Sequence, residues 1–237
     1  MVYLDSPSSP AWVTNQSNIA PKVFGVVQLA GAVEVQSELS AVILAGGRSA
    51  RLPDKCFRKL GSKELILHVF ERVSQVTSDI TIVGRDASSA IRLREILPSA
   101  RVVLDELESQ TPMVGVLSGL RATRTEYAFM SACDTPFIEP KVIRVLFEAA
   151  LGTDGAIPSN GELEPLCSVY RRSSTINAAQ FCLQNGQLSM LELISQLRTL
   201  VKVQKVRLRR VDPQLLTFVN INTSNDLERA EALIRNT

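Results

Sequence analysis

Three cations stand close together early in the chain. Arg48, Arg51 and Lys55 follow directly on Gly46-Gly47, which ends the apolar run Ala41-Val-Ile-Leu44. Two glycines at a strand's end allow positive φ and bring backbone N–H groups close to a ligand. Open amides beside cations make an anion site, most often for phosphate. Further along, Asp105 and Asp134 each close an apolar run, and Asn220 and Asn222 flank Ile221 late in the chain. Phosphate near Arg51 and Lys55 calls for a divalent cation to balance the remaining charge. Mg²⁺ takes one or two carboxylates plus phosphate oxygens and water. Asp134 suits that role best, because an unpaired carboxylate at the end of a wholly apolar strand would be costly.

These residues need elements to hold them, and strand and helix patterns alternate from Ser40 onward. Apolar runs predict strands over 41–44, 79–83, 101–104 and 127–132. Helical spacing predicts helices over 63–76, 88–97, 113–123 and 140–151. Short strands at 155–159 and 165–170 flank Asn160-Gly161, a dipeptide that favours a tight hairpin turn. Helices at 173–184 and 189–198, strands at 201–208 and 216–221, and a last helix capped by Thr223 with Asp226 complete the pattern. Alternating β and α units predict an α/β fold with a doubly wound, mainly parallel sheet in three α/β/α layers. In such a sheet Asp105 and Asp134 reach the edge that carries Gly46-Gly47.

The 237 residues suffice for one α/β domain, and a net charge of +2 gives no field that would point to nucleic acid or a membrane surface. Four cysteines without Cys-x-x-Cys spacing and a single histidine, His68, speak against structural zinc and fit a reducing, cytoplasmic setting. Residues 1–39 read as a loosely ordered N-terminal extension ahead of a domain over 40–237. Their apolar stretch lacks a basic start and comes too late for a usual signal peptide.

Each feature also has a plain structural reading. Gly46-Gly47 lacks the third glycine of a dinucleotide fingerprint and the Gly-Lys-Ser/Thr of a P-loop, and it would serve as an ordinary turn. Asp134 and Asp105 would serve as turn or cap residues, and Asn220 and Asn222 as loop residues leading into Thr223. His68 falls within the first predicted helix and reads as structural. Arg207, Arg209 and Arg210 read as a solvated face, with an anionic second substrate as the alternative.

Taken in order, the motifs resemble those of the small nucleotidyltransferases, and most closely the molybdenum cofactor guanylyltransferases of the MobA type. Leu44-Ala-Gly-Gly47, Arg51, Asp54-Lys55 and Leu65-Ile-Leu-His-Val69 resemble the first signature. Asp105, Pro112-Met-Val-Gly115, Cys133-Asp-Thr-Pro-Phe137, Glu164-Pro-Leu166 and Asn220-Ile-Asn-Thr223 with Asp226-Leu227 follow in register. The resemblance spans about residues 40–235. It implies transfer of GMP from GTP to the terminal phosphate of molybdopterin, with Mg²⁺ and release of pyrophosphate. It implies that Leu44, Ala45, Gly46 and Gly47 hold the nucleotide, that Lys55 meets phosphate or ribose, and that Asp105 meets guanine or ribose. Asp134 would hold the metal. Arg51, Lys55 and Asp134 would form the catalytic set, with Glu164, Pro165, Asn220 and Asn222 near the second substrate. Transient contact with cofactor-supplying proteins is implied as well. The acceptor phosphate is already ionised, so no general base is needed and catalysis reduces to alignment and charge neutralisation.

Three positions depart from the family pattern. Leu52-Pro53 is one residue shorter than the usual segment before Asp-Lys and lacks its glycine. Gly84-Arg85-Asp86 stands where an asparagine is common, and Thr111 replaces the glycine before Pro112. The Gly-Gly pair resembles the guanylyl branch rather than the cytidylyl one. The competing expectations are a relative that uses CTP, or a phospholactate or cobinamide phosphate acceptor, and a non-catalytic nucleotide-binding protein.

Overall fold

The computed structural model describes residues 39–46, 51–105 and 111–235. Residues 1–38 of the expected extension, together with Gly47 and Arg48, lie outside them. In chain order the elements are β1 (Leu39–Leu44), β2 (Lys59–Leu60), β3 (Lys63–Glu64), α1 (Leu65–Val73), β4 (Ile80–Gly84), α2 (Ala87–Ile96), β5 (Arg101–Leu104), α3 (Pro112–Ala122), β6 (Tyr127–Ala132), α4 (Pro140–Ala150), β7 (Gly155–Ser159), β8 (Cys167–Arg171), α5 (Arg172–Gln184), α6 (Met190–Ser195), β9 (Leu200–Gln204), α7 (Lys205–Leu208) and α8 (Ser224–Arg235).

The main sheet has the order β5-β4-β1-β6-β8-β7-β9. β1 pairs parallel with β4 on one side and β6 on the other, and β5 extends the parallel run. β8 is antiparallel to both β6 and β7, while β9 runs parallel to β7. The expected doubly wound, mainly parallel sheet is present, with β8 as its reversed strand. The alternation of β1 sorts its side chains. Ala41 and Ile43 pack with α1, α2 and α4, whereas Val42 packs with α3, α5 and α6. Strands covered on both faces are mostly apolar, and β1, β4 and β6 each hold only one buried serine or threonine, Ser40, Thr81 and Ser131, in an otherwise apolar or glycine run.

One helix presses unusually close. Every residue of α3 from Met113 to Leu120 is buried. A Cβ on Gly119 would lie 2.3 Å from Val42 Cγ1, and one on Gly115 would lie 3.1 Å from Leu44. Only glycine permits this approach. It fixes the start of α3, at Thr111-Pro112, beside the C-terminal edge of the sheet.

Several expectations need correction. The first helix is shorter than 63–76, because Lys63-Glu64 pairs with Lys59-Leu60 as a small hairpin. Gly161, at φ 89°, does make a tight turn that bridges Ser159 to Leu163, but β8 starts only at Cys167. The predicted strand over 201–208 stops at Gln204, and its last four residues form the helical turn α7. Leu216–Ile221 is not a strand. The Asp212 carboxylate accepts the amides of Leu216 and Thr217 at 3.0 and 2.9 Å, and Leu215 adopts φ 55°, so the chain curls into a 3₁₀ turn at Leu216–Phe218. Side-chain capture of backbone donors competes directly with a sheet ladder. Thr223 and Asp226 form the expected reciprocal cap, at 2.9 and 3.2 Å. Among the described residues no helix is long and apolar enough to cross a membrane.

Candidate active site

The strand order reverses at β1, and open α/β sheets bind ligands beyond the strand ends at such a point. Backbone bonds carry the ladder one step further: Ala45 N–H donates to Val83, Asp105 N–H to Gly84 and Cys133 N–H to Leu44, at 2.9, 3.3 and 3.0 Å. This extension sets Gly46, Asp105 and Asp134 along one rim. A hollow of about 390 Å³ opens there, walled by Leu44–Gly46, Arg51, Lys55, Asp105, Thr111, Pro112 and Asp134 among others.

Lys55 reaches this hollow from a well-anchored segment. Leu52 is buried with Leu60, Leu65, Ile221 and Ala230. Asp54 takes φ 52°, a left-handed conformation that aspartate tolerates, and turns the chain into the 3₁₀ turn Lys55–Phe57. The shortened Leu52-Pro53 segment therefore still delivers the lysine. Its Nζ lies 2.6 Å from Asp134 Oδ2 and donates to Asn222 Oδ1 at 3.0 Å. Cys56 and Cys133, the sequence neighbours of this ion pair, are free thiols that share a hydrogen bond. That bond holds the Cys56 thiol below its ordinary range. The same bond, with burial, pushes the Cys133 thiol well above it.

Unpaired polar atoms concentrate in the wall of this hollow. Asp105 Oδ1, Thr111 Oγ1 and Asp134 Oδ1 are buried and have no hydrogen-bond partner among the described residues. Burial alone pushes the Asp105 carboxyl up to about 6. Native proteins rarely leave such atoms unsatisfied, which makes these three candidates for bonding a ligand.

A second hollow of about 320 Å³ adjoins the first. Glu164, Pro165, Asn220, Phe218 and Met190 line it, and Ala132, Asp134, Leu166 and Asn222 belong to both. Its walls are loops held by side chains. Ile221 N–H donates to Asp134 O at 2.9 Å, and the Asp226 carboxylate accepts the amide of Asn222 at 3.1 Å. Lys205 pairs with Glu164 and lies 4.5 Å from the centre of the Phe218 ring.

The chain's residues 41–201 match the family model for the MobA-like NTP transferase domain. The protein belongs to this family. It is 34% identical over 198 residues to the "Probable molybdenum cofactor guanylyltransferase" of Methanosarcina mazei, an alignment covering 80% of this chain and 88% of that protein. It is 35% identical to the molybdenum cofactor guanylyltransferase of Desulfosudis oleivorans, covering 83% and 96%. The crystal structure of molybdopterin-guanine dinucleotide biosynthesis protein A from Archaeoglobus fulgidus superposes with a TM-score of 0.74 at 28% identity, covering 84% of this chain and all of that one.

In this MobA-like transferase, the expected nucleotide residues Leu44, Ala45, Gly46, Lys55, Asp105 and Asp134 share the first hollow with Arg51. Gly47 lies outside the described residues. Glu164, Pro165, Asn220 and Asn222 line the second hollow. His68 Nε2 bonds to Leu60 O at 2.9 Å, away from both. Arg207, Arg209 and Arg210 are exposed and line neither hollow. Lys205, Phe218 and Asp212 also shape the second hollow's surroundings, through Glu164 and through the amides of Leu216 and Thr217. Nothing in their spacing marks them, because their partners are 41, 13 and five residues away or fewer along an irregular chain.

Proposed function

We propose that this nucleotidyltransferase moves GMP from GTP to the terminal phosphate of molybdopterin and releases pyrophosphate. The observation that carries the reading is that two hollows share Asp134 and Asn222, with Lys55 bonded to both residues. The names of the Methanosarcina and Desulfosudis relatives and of the Archaeoglobus neighbour support the choice of reaction. GTP would fill the first hollow and the acceptor the second, so that the α-phosphate lies where they meet. An acceptor phosphate oxygen forms a bond to the α-phosphorus as the bond to the β-phosphate oxygen breaks. No proton moves, so alignment and charge carry the catalysis.

Guanine presents an N–H and an amino group side by side. Asp105 Oδ1 and Thr111 Oγ1 supply unpaired buried oxygens for such donors. Cytosine offers one amino group beside two acceptors and would leave more of that wall unsatisfied. Lys55 and Arg51 would neutralise the phosphates. Mg²⁺ fits Asp134: one carboxylate oxygen there is buried without a partner. Among the described residues no cluster of three or more His, Cys, Asp or Glu offers a complete protein cage. One carboxylate plus substrate phosphates is how Mg²⁺ is usually held, and the ion supplies charge neutralisation at the phosphates. This reading also places the protein in the cytoplasm, in keeping with its four free cysteines, and has the acceptor handed over by the protein that carries it.

Incubation with Mg²⁺, molybdopterin and each of the four nucleoside triphosphates tests the proposal. GTP is expected to give the guanine dinucleotide with one pyrophosphate per product. Preferential use of CTP would overturn the base assignment. No product from any donor, while GTP still raises the melting temperature, would leave a binding protein and not a transferase.

A further inference from the structure

Neither carboxylate oxygen of Asp134 is both unpaired and open to solvent. Lys55 Nζ covers Oδ2 at 2.6 Å, and Oδ1 is buried without a partner. The ammonium is held in a fitted seat, since it also donates to Asn222 Oδ1 at 3.0 Å and its side chain is only 16% exposed. Both sides of the seat are fixed. Leu52 is buried before the lysine, and Cys56 is buried after it with its thiol on Ala45 O. Asn222 is held by the Asp226 carboxylate on its amide, and Ile221 is tied to Asp134 O. With its backbone anchored, Lys55 can leave Asp134 only by rotating its four-carbon stem.

We infer that Lys55 is the site's own resident cation: before nucleotide binds it occupies Asp134 and keeps a divalent ion off the carboxylate. This rests on the reading of Asp134 as the metal-holding residue. A divalent ion approaching Oδ2 meets a positive charge already seated there, and Mg²⁺ gives up its water reluctantly. A triphosphate changes the balance, because it offers the ammonium several anionic oxygens and carries a metal ion of its own. Lys55 then moves from carboxylate to phosphate, and Oδ2 becomes available. The exchange replaces one cation on Asp134 by another, with no covalent bond broken and no proton transferred. Metal and nucleotide therefore bind with positive coupling, and linkage makes that coupling reciprocal. Asn222, which lines both hollows, completes the seat that holds the lysine in waiting.

Mn²⁺ is the probe, followed through the loss of the free-ion signal in electron paramagnetic resonance. Wild type, Lys55→Met, Lys55→Gln and Asp134→Asn are titrated with and without GTP. Without GTP, Lys55→Met is expected to bind Mn²⁺ at least tenfold more tightly than wild type. The gain should vanish in the Lys55→Met/Asp134→Asn double variant. GTP should tighten Mn²⁺ binding by a larger factor in wild type than in Lys55→Met. If Lys55→Met folds poorly, Lys55→Gln, neutral but still a donor to Asp134, is expected to show the same gain and to be stabilised by Mn²⁺ where wild type is not. Equal Mn²⁺ affinity in wild type and both Lys55 variants without GTP would overturn the inference while leaving the metal assignment standing. If Asp134→Asn binds Mn²⁺ with GTP as tightly as wild type does, the metal assignment itself fails, and this inference with it.

Discussion

The two hollows are built in different ways. The first is a product of the sheet: β1, β4, β5 and β6 end together, and their continued backbone ladder sets Gly46, Asp105 and Asp134 along one rim. The second is a product of loops, held in place by Asp212 on the amides of Leu216 and Thr217, by Asp226 on Asn222, and by Lys205 on Glu164. Sheet geometry makes the first wall rigid and leaves its polar atoms waiting for a ligand. The second wall depends on individual side-chain bonds instead of a ladder. Asp134 and Asn222 line both hollows, on the seam between the sheet-built wall and the loop-built one, where the proposed transfer would take place.

That contrast can be broken in four places. Asp134 lies on the seam, so Asp134→Asn should reduce transfer by about 10²–10³-fold, the scale for losing a group that stabilises developing charge. Steady-state transfer, with circular dichroism to check the fold, measures it. A variant within twofold of wild type would remove Asp134 from the reaction. Asp212→Ala acts on the loop wall alone. Loss of hydrogen bonds to a charged carboxylate is worth about 1.5–3 kcal/mol, so the KM for the phosphate acceptor should rise by about 10–150-fold. The KM for GTP should hold, and an equal rise in both constants would show that the hollows are not built independently.

Gly119→Ala acts on the sheet wall alone. Its methyl would meet Val42, and overpacking of this kind costs about 1–3 kcal/mol in urea unfolding. An unchanged midpoint would mean that α3 does not press on β1 as described. The smallest effect is at Asp105, whose carboxyl burial raises to about 6. A raised carboxyl stabilises the fold at pH values below the unfolded carboxylate range, and that contribution is lost as pH rises through about 6. The Asp105→Asn variant should therefore melt above wild type at pH 7.5, and the difference should shrink as pH falls towards 4. A constant difference across that range would show that the charge on Asp105 is not the cause.

The same contrast explains what could be read from the residues in advance. Strands β1, β4 and β6 announce themselves, because a central strand buried on both faces must be mostly apolar. Once those runs are recognised as parallel, the convergence of Asp105 and Asp134 follows. Leu216–Ile221 reads as apolar too, yet it curls, because Asp212 takes two of the amides that a ladder would need. No local pattern shows that a carboxylate four residues back will do so. The seat of Lys55 was also hidden. The lysine was expected on phosphate or ribose, and its pairing with Asp134 comes with Asp54's left-handed turn and with Asn222, 167 residues away.

In the proposed reaction GMP passes from GTP to a phosphate acceptor where the two hollows meet. The most direct measurement uses GTP labelled at the α-phosphate in one reaction and at the γ-phosphate in another, each with Mg²⁺ and molybdopterin. Label is expected in the dinucleotide from the α-labelled donor only, with all of the γ-label in pyrophosphate. Label reaching the acceptor from the γ-position, or no labelled product at GTP concentrations that saturate the protein, would contradict it.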